Sequence, residues 1–564
     1  MRLLNIGVHC FASLLLPLTV SATLATDDVK EKMCHEINGM HHVMAMKYAP
    51  NEWKEEHFGW NLEEIMKRSK QKVWDNPEIT IKDFHQIIHQ IFQSTRDYHV
   101  GVRFYSTEMS YLPISIKGAN GHYFVVNVDE EEFDENCPLS IGDEIISIDN
   151  KPVTEYVKKR EKELFGVSNA TNTSLAESSL FFYYGGRGDI TFPEGEVVLT
   201  LKTASQGKVY QLKTRWIYHP EFVSGYRALG KKETFVQKHP LLNQQMKVPT
   251  YERTQILYPQ EKVSTPSHEI GARMSFIPDL GQVVWRSSDE NPFHAYIFID
   301  RKGKKCGYVR IPSYEGDEDY AKEFEEIIAK MQAETRALVI DQVNNPGGSA
   351  LYLYALASML TNRPLEVPLH KMAMTQQEVW DAIWFQFMLA KVTNEEEAKE
   401  LFGETLDGYP ITLKLILQLT GFTNFVLSEY NDGKRMTDYC ALEGIMDIEP
   451  HPSVRYTKPI LFLINELDFS GGDFMPAILQ DNKRATLMGT RTAGAGGAVN
   501  LFPIASKFGI AFYTATTTFA MRPTGDPIEN LGIKPDIEYR ITENDLKNRY
   551  QDYKQAILKA LGNL

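Results

Sequence analysis

The chain has 564 residues, 43% hydrophobic and 24% charged, an ordinary globular composition that predicts about three or four domains. Its formal net charge of -14 argues against nucleic-acid binding and against binding to anionic membranes, because both rely on a basic excess that attracts phosphate. The five cysteines form no CxxC pair and have no histidine at zinc-ligand spacing, so no metal, cofactor or disulfide framework is expected.

The chain begins with the pattern of a secretory signal peptide, predicted over residues 1–25. A basic start precedes an apolar stretch from Phe11 to Val20, and small residues follow up to Ala25, which is the order of zones in such signals. A short membrane anchor is the alternative, but Pro17 interrupts a stretch that is short for a spanning helix. We therefore expect a secreted protein with no membrane span after signal removal. Its destination, whether periplasm, medium or host cell, stays open.

The next two regions predict a helical domain and a PDZ-like domain. Residues 26–106 carry apolar side chains at helical spacing, whereas residues 107–218 carry short β-type runs separated by turn residues. Within the second region, the stretch from Leu139 to Val153 contains a Gly-Asp turn, an alternating strand and an Asp-Asn turn. This stretch resembles PDZ domains, which bind peptide ends or strands by β-augmentation. A β-rich spacer is the alternative interpretation.

Residues 219–298 are predicted to be a linker or an inhibitory insert. The section 226–275 has weak periodicity and several Pro and Gln residues, and it is longer than connecting loops usually are. One hypothesis is that this section covers the active site until it is cut. A solvated linker is the other.

Residues 299–564 alternate between strand and helix patterns, which is typical of an α/β domain whose sheet is covered by helices. A helix-rich insertion interrupts the alternation at about 375–430. Two strand-to-helix crossings carry unusual residues, and ligands collect at the carboxyl ends of strands in such sheets. The first crossing ends in Gly347 and Gly348, where a backbone without side chains can turn its N–H groups toward an oxyanion.

The second crossing places Ser470 in front of Gly471 and a new helix. There the hydroxyl lies at the positive end of the helix dipole, and the Gly471 N–H can join that of Gly348 in an oxyanion hole. Without context, a serine at this position is more often a helix cap than a nucleophile.

The motifs around both crossings resemble those of the C-terminal processing, or tail-specific, serine protease family. The matching motifs are Asn344-Asn345-Pro346-Gly347-Gly348, Ala477-Ile478-Leu479-Gln480-Asp481, Gly489-Thr490-Arg491-Thr492 and Asn530-Leu531-Gly532-Ile533-Lys534-Pro535-Asp536. The resemblance implies a multidomain α/β protein with a crotonase-like α/β catalytic core. One departure concerns the base: these enzymes use a Ser-Lys dyad, and Gly494-Ala495-Gly496 stands where a Gly-Lys-Gly is expected. Either the protein is an inactive relative that binds ligands, or another residue deprotonates Ser470.

The chain resembles more closely the secreted virulence proteases of this superfamily that use serine, histidine and glutamate. Their histidine motif is matched at His99, their serine motif at Ser470 and their glutamate motif at Glu529. This implies that His99 is the base and that Glu529 fixes its tautomer, a sufficient set for acyl transfer. It also implies a serine endopeptidase of protein or peptide substrates that forms a homodimer after self-cleavage of a zymogen. A third possibility is an adhesin that acts through Arg187-Gly188-Asp189.

Overall fold

A computed structural model describes residues 26–129, 138–221 and 267–564. The predicted signal peptide over 1–25 and most of the 226–275 section lie outside the described residues. Within the described ranges, no helix combines the length and the apolar character needed to cross a bilayer.

The N-terminal region folds into a layer of helices that packs on a C-terminal β-hairpin. Its elements are α1 (Asp27–Lys47), α2 (Asn51–Phe58), α3 (Leu62–Asp75), α4 (Ile81–Gln93) and β1 (Gly101–Phe104). The apolar face of α4, which includes Phe84 and Ile88, shares one core with Ile510 and Tyr513 of the hairpin. β1 pairs antiparallel with the same hairpin. The predicted N-terminal helices therefore share a core and a sheet with the C-terminal region.

The next region forms a β-rich module with two helices. Its elements are β2 (Met109–Tyr111), β3 (Ile114–Ala119), β4 (His122–Val128), β5 (Glu144–Ile148), β6 (Lys151–Pro152), α5 (Val153–Phe165), α6 (Ala170–Ser178), β7 (Phe182–Tyr184), β8 (Glu196–Lys202), β9 (Val209–Arg215) and β10 (Ile217–His219). The main sheet has the order β3-β4-β5-β8-β9, with β6 beside β5. The Gly-Asp turn before β5 has Gly142 at a φ of 96°, a conformation that favours glycine.

The C-terminal region is built on a seven-stranded sheet of order β11-β12-β13-β14-β21-β22-β26. The strands of this region are β11 (Gln282–Arg286), β12 (Ala295–Ile299), β13 (Lys305–Arg310), β14 (Leu338–Asp341), β15 (Leu365–Glu366), β16 (Leu369–Met372), β17 (Thr405–Leu406), β18 (Tyr409–Pro410), β19 (Cys440–Ala441), β20 (Asp447–Ile448), β21 (Ile460–Ile464), β22 (Thr486–Gly489), β23 (Val499–Pro503), β24 (Ile510–Thr516), β25 (Thr518–Met521) and β26 (Ile537–Glu538). From β13 to β26 the sheet is parallel. β11 and β12 extend it as antiparallel strands before the predicted start at residue 299.

Helices and the PDZ-like module cover both faces of this sheet, so its central strands are buried throughout. The helices are α7 (Glu318–Glu334), α8 (Ala350–Ser358), α9 (Gln376–Leu389), α10 (Glu395–Phe402), α11 (Leu413–Asn431), α12 (Gly471–Asp481), α13 (Glu543–Lys547) and α14 (Gln551–Gly562). Alternate residues of β21 face opposite cores: Phe462 lies with α7, α8 and α12, and Leu461 lies with α14 and with Phe124 of the PDZ-like module. Helices α9 to α11 form the insertion predicted at about 375–430.

Candidate active site

The two unusual crossings meet at one edge of the central sheet. β14 and β21 are parallel neighbours, so the loops that follow them leave the sheet side by side. The Asn345 N–H donates to the Asp468 carboxylate at 3.0 Å, and the Phe469 N–H donates to the Asn345 carbonyl at 2.8 Å. These bonds fix the glycine loop against the serine loop.

Ser470 has the backbone strain of a nucleophile turn. Its φ of 55° and ψ of -115° lie outside the regions that side chains usually adopt, and its side chain makes no cap bond to α12, which begins one residue later. A non-glycine residue in such a conformation costs about 1–3 kcal/mol, and such residues cluster at functional sites. The same sharp turn exposes the serine hydroxyl in strand-turn-helix nucleophile elbows.

Two backbone N–H groups lie beside Ser470 without an acceptor among the described residues: those of Gly348 and Gly471. A Cβ added to Gly471 would be 3.3 Å from the Gly348 nitrogen, and a Cβ added to Gly347 would be 2.6 Å from the Ser470 Cβ. The glycines are therefore needed for the close approach of the two loops. The arrangement can hold an oxyanion next to the serine.

His99 lies on a loop that contacts the serine loop. The ring of Tyr98 meets the ring of Phe469 edge to face, with centroids 5.4 Å apart, so the residues that precede His99 and Ser470 touch. The Asp97 carboxylate accepts the His99 N–H at 2.9 Å. His99 Nδ1 is buried and has no hydrogen-bond partner among the described residues. Burial lowers the pKa of His99, which favours a neutral imidazole.

Glu529 is fully buried but does not hydrogen-bond to His99 in the structure. Its Oε1 accepts from the Lys54 ammonium at 2.5 Å and its Oε2 from the Gly496 N–H at 2.9 Å. Burial, and then the Asp97 charge, raise the pKa of Glu529, whereas Lys54 lowers it. The structure thus brings Ser470, Gly348 and Gly471 together, sets His99 on the adjoining loop and pairs Glu529 with a lysine that the sequence did not single out.

The turn that carries a lysine in tail-specific enzymes serves here as a set of backbone donors. The N–H groups of Gly494 and Ala495 donate to the two Asp473 oxygens at 2.8 and 2.9 Å. Burial raises the pKa of Asp473 to about 6, although these bonds oppose the rise. The next N–H, that of Gly496, reaches Glu529. A turn without a lysine therefore orders two buried carboxyl groups near the serine helix.

The PDZ-like module contacts the serine loop through a partly buried ion pair. Lys117 Nζ lies 2.6 Å from Glu466 Oε1, and Glu466 also accepts from Ser174 at 2.7 Å and from Thr490 at 2.6 Å. Glu466 lies only four positions before Ser470 along the chain. The module therefore supports the loop that presents the serine.

We expect this ion pair to make stability depend on pH. Although burial opposes it, Lys117 lowers the pKa of Glu466 from 4.5 to about 2, so its stabilisation is complete above pH 4.5 and is lost as the pH falls toward 2. Glu466→Gln should lower the free energy of unfolding by about 2–3 kcal/mol near neutrality. Urea unfolding at several pH values checks this, with exposed Glu155→Gln as control. A deficit that stays constant down to pH 2 would contradict it.

The Arg187-Gly188-Asp189 tripeptide is not available as an adhesion motif. The Asp189 carboxylate accepts hydrogen bonds from Arg160 at 2.5 and 3.1 Å and from the Tyr184 N–H at 2.8 Å. It is largely buried in this ion pair. The aspartate therefore serves the interior of the PDZ-like module.

The chain belongs to peptidase family S41. Residues 305–539 match the model of that family, and residues 108–225 match a PDZ domain, which confirms the multidomain α/β prediction with its PDZ-like module. A protein of Chlamydia pneumoniae is 35% identical over 571 residues, covering 95% of this chain and 91% of that protein. A carboxy-terminal-processing protease of Bartonella bacilliformis is 33% identical over 96 residues, 17% of this chain and 21% of that protease.

The chain as a whole resembles the chlamydial protease-like activity factor, CPAF, and the solved structures confirm this overall resemblance. Mature CPAF superposes with a TM-score of 0.81 at 32% identity, covering 94% of this chain and 97% of that chain. Mature CPAF complexed with lactacystin gives the same TM-score at 31% identity, covering 95% and 98%. The chain is accordingly a serine protease.

Proposed function

We propose that the chain is a secreted serine endopeptidase in which Ser470 is the nucleophile, His99 the general base and Glu529 the carboxylate that supports His99. The observation that carries the proposal is the strained serine, which makes no helix-cap bond and stands beside the N–H groups of Gly348 and Gly471. A capping serine would use its oxygen to accept a hydrogen bond from the first turn of its helix. The hydroxyl of Ser470 is instead available to act as a nucleophile.

In the acylation step, Ser470 Oγ attacks the substrate carbonyl carbon and forms a C–O bond while its proton passes to His99 Nε2. Because burial keeps the pKa of His99 low, the imidazole is neutral and can accept that proton. The carbonyl electron pair moves onto oxygen, where the two glycine N–H groups stabilise it. The C–N bond then breaks, His99 gives its proton to the leaving amine, and an acyl-enzyme remains.

Water completes the cycle by the same route. His99 takes a proton from the attacking water and returns it to Ser470 Oγ as the ester C–O bond breaks. An imidazolium forms in both steps, and a carboxylate near Nδ1 stabilises it. Nδ1 is buried and has no partner in the part of the chain that the structure describes, and a buried polar atom of this kind favours a close acceptor. Glu529 is the carboxylate that we assign to this role.

A fluorophosphonate probe tests the nucleophile. We expect one covalent adduct on the peptide that contains Ser470, and no adduct in His99→Ala, because the serine then lacks its base. Since mature CPAF has been solved with lactacystin, preincubation with lactacystin should prevent the labelling. An adduct on another residue would refute the assignment of Ser470, and a stable protein that takes no label would favour a ligand-binding protein.

The resemblance to CPAF supports three further parts of the proposal. The catalytic sheet has a crotonase-like topology, and the chain is exported through the 1–25 signal to act on host proteins as a virulence factor. The third part is activation by self-cleavage within 226–275. Incubation of the purified chain followed by mapping of new termini tests the activation. New termini should form in that section in the wild type and not in Ser470→Ala. A fully active chain with this section intact would refute activation by cleavage.

We also propose a homodimer, supported by an apolar stripe on α9. Trp380, Trp384 and Phe387 recur at helical spacing and expose 66%, 56% and 57% of their surface. Monomeric proteins rarely leave such a continuous apolar patch in water. The stripe lies on one helix of the insertion, and a second copy of the chain would cover it.

Trp384→Glu should convert the dimer to a monomer, because a charge in the centre of an apolar interface is left unpaired on association. Light scattering after gel filtration measures the mass. Trp74→Glu, which changes an exposed tryptophan on α3, is the matched control and should remain dimeric. A dimeric Trp384→Glu protein would remove α9 from the interface.

A further inference from the structure

Lys54 is a lysine with none of its surface exposed, although it lies on α2 among charged residues. Its ammonium lies 2.5 Å from Glu529 Oε1, 2.6 Å from Asn530 Oδ1 and 3.2 Å from the Arg96 carbonyl. Three acceptors match the three N–H bonds of an ammonium, so the charged form is fully paired. Stability alone does not explain a buried ion pair, because apolar residues of the same size often give a protein that is equally or more stable.

The contacts of Lys54 connect the glutamate to the histidine loop. The Arg96 carbonyl that Lys54 binds lies three residues before His99, and the Asn530 side chain donates to the same carbonyl at 2.7 Å. Asp97, the next residue, holds the His99 backbone. One ammonium thus contacts the carboxylate of Glu529, its neighbour Asn530 and the start of the loop that ends in His99.

The charges around this ammonium explain why a cation is needed. Glu529 is buried with Asp97 close enough to oppose its ionisation, and the backbone N–H of Gly496 is its other described donor. Asp97 is further held by Tyr48 at 3.1 Å and by Thr516 at 2.8 Å, both neutral groups. Without Lys54, Glu529 would keep the unfavourable influence of burial and of the Asp97 charge but lose its cation, so it would take up a proton more readily.

We propose that Lys54 is a positioning residue of the protease, which favours the ionised form of Glu529 and fixes it against the loop that carries His99. The inference rests on the proposed function, in which Glu529 supports His99. A protonated Glu529 carries no charge to stabilise the imidazolium. Lys54 therefore acts through Glu529 and needs no contact with substrate.

The pH profile of kcat/KM in Lys54→Met tests this proposal. Loss of the cation raises the pKa of Glu529 further, so activity that requires the carboxylate appears only at higher pH. We expect a loss of about tenfold or more at neutral pH, with the acidic limb of the profile moved to higher pH and recovery in alkaline solution. Lys54→Arg, which retains the charge, should keep the acidic limb of the wild type. It also keeps the test valid if the methionine variant fails to fold.

Lys47→Met is the matched control. Lys47 makes a partly buried ion pair with Glu378 at 2.6 Å, between α1 and the helical insertion, but does not contact Glu529. Its loss should lower the unfolding temperature without moving the pH profile. If Lys54→Met behaves in the same way, with activity reduced equally at every pH, Lys54 is only structural and the proposal is overturned.

A double-mutant cycle separates this proposal from the proposed function. If Lys54 acts through Glu529, the double variant Lys54→Met with Glu529→Gln should be no slower than Glu529→Gln alone. If the losses of activity in the two single variants multiply in the double variant, the role of Lys54 is overturned and the triad remains in place. Wild-type activity in Glu529→Gln would instead remove Glu529 from the triad, and the role of Lys54 with it.

Discussion

Ser470→Ala should lower the hydrolysis of an unfolded protein substrate by at least about a thousandfold, because removal of a nucleophile leaves only the oxyanion hole and substrate binding. The fold should persist, since alanine accepts the same backbone and the Ser470 side chain makes no cap bond. Initial rates of cleavage, with thermal unfolding measured in parallel, check both parts.

Ser349→Ala separates the loss of a nucleophile from the loss of a helix cap. Ser349 ends the other crossing and accepts the Tyr352 N–H as the cap of α8. Its replacement should cost about 1 kcal/mol of stability and much less activity than Ser470→Ala. If Ser470→Ala instead cleaves at the wild-type rate and is only less stable, Ser470 is a structural residue.

Gly471→Ala keeps its backbone N–H but should lower kcat by about a hundredfold to a thousandfold, because a methyl group that holds the oxyanion away from its donors has about the effect of losing one of them. The new methyl group would lie 2.9 Å from the Tyr314 ring and 3.3 Å from the Gly348 nitrogen, so it occupies the space in which the oxyanion would sit. Steady-state kinetics should show the loss mainly in kcat, because the substrate side chains bind elsewhere.

Gly421→Ala is the control for the change of residue type. Gly421 lies on α11, and a Cβ there would meet nothing within 4 Å, so alanine should leave catalysis unchanged and stabilise the helix slightly. A Gly471→Ala enzyme with the same kcat as Gly421→Ala would show that the space beside Gly348 is not the oxyanion site.

Strand patterns and glycine loops made much of the catalytic core predictable. β14 and β21 are buried on both faces, so their sequences are short apolar runs. The turn after β14 contains two glycines, and the turn after β21 places a serine directly before a helix. The helix-rich stretch at about 375–430 was likewise predicted from its helical spacing. These features are local in sequence, so each carries its own signal.

Contacts between distant segments could not be predicted in this way. Lys54 lies in the sequence Trp53-Lys54-Glu55-Glu56, which is typical of a solvated helix face. Its burial depends on contacts with the distant residues Arg96, Glu529 and Asn530. The antiparallel strand β11 alternates in exposure at the sheet edge and falls in a region without clear periodicity. The hydrogen-bond partner of Glu529 likewise depends on a pairing across the whole chain.

A crystal structure of the fluorophosphonate adduct tests the central claim most directly. We predict phosphorus bonded to Ser470 Oγ, its oxygen within hydrogen-bond distance of the Gly348 and Gly471 nitrogens, and His99 Nε2 about 2.6–3.2 Å from the serine oxygen. An adduct in which the His99 ring faces a different cavity from Ser470 would contradict the account.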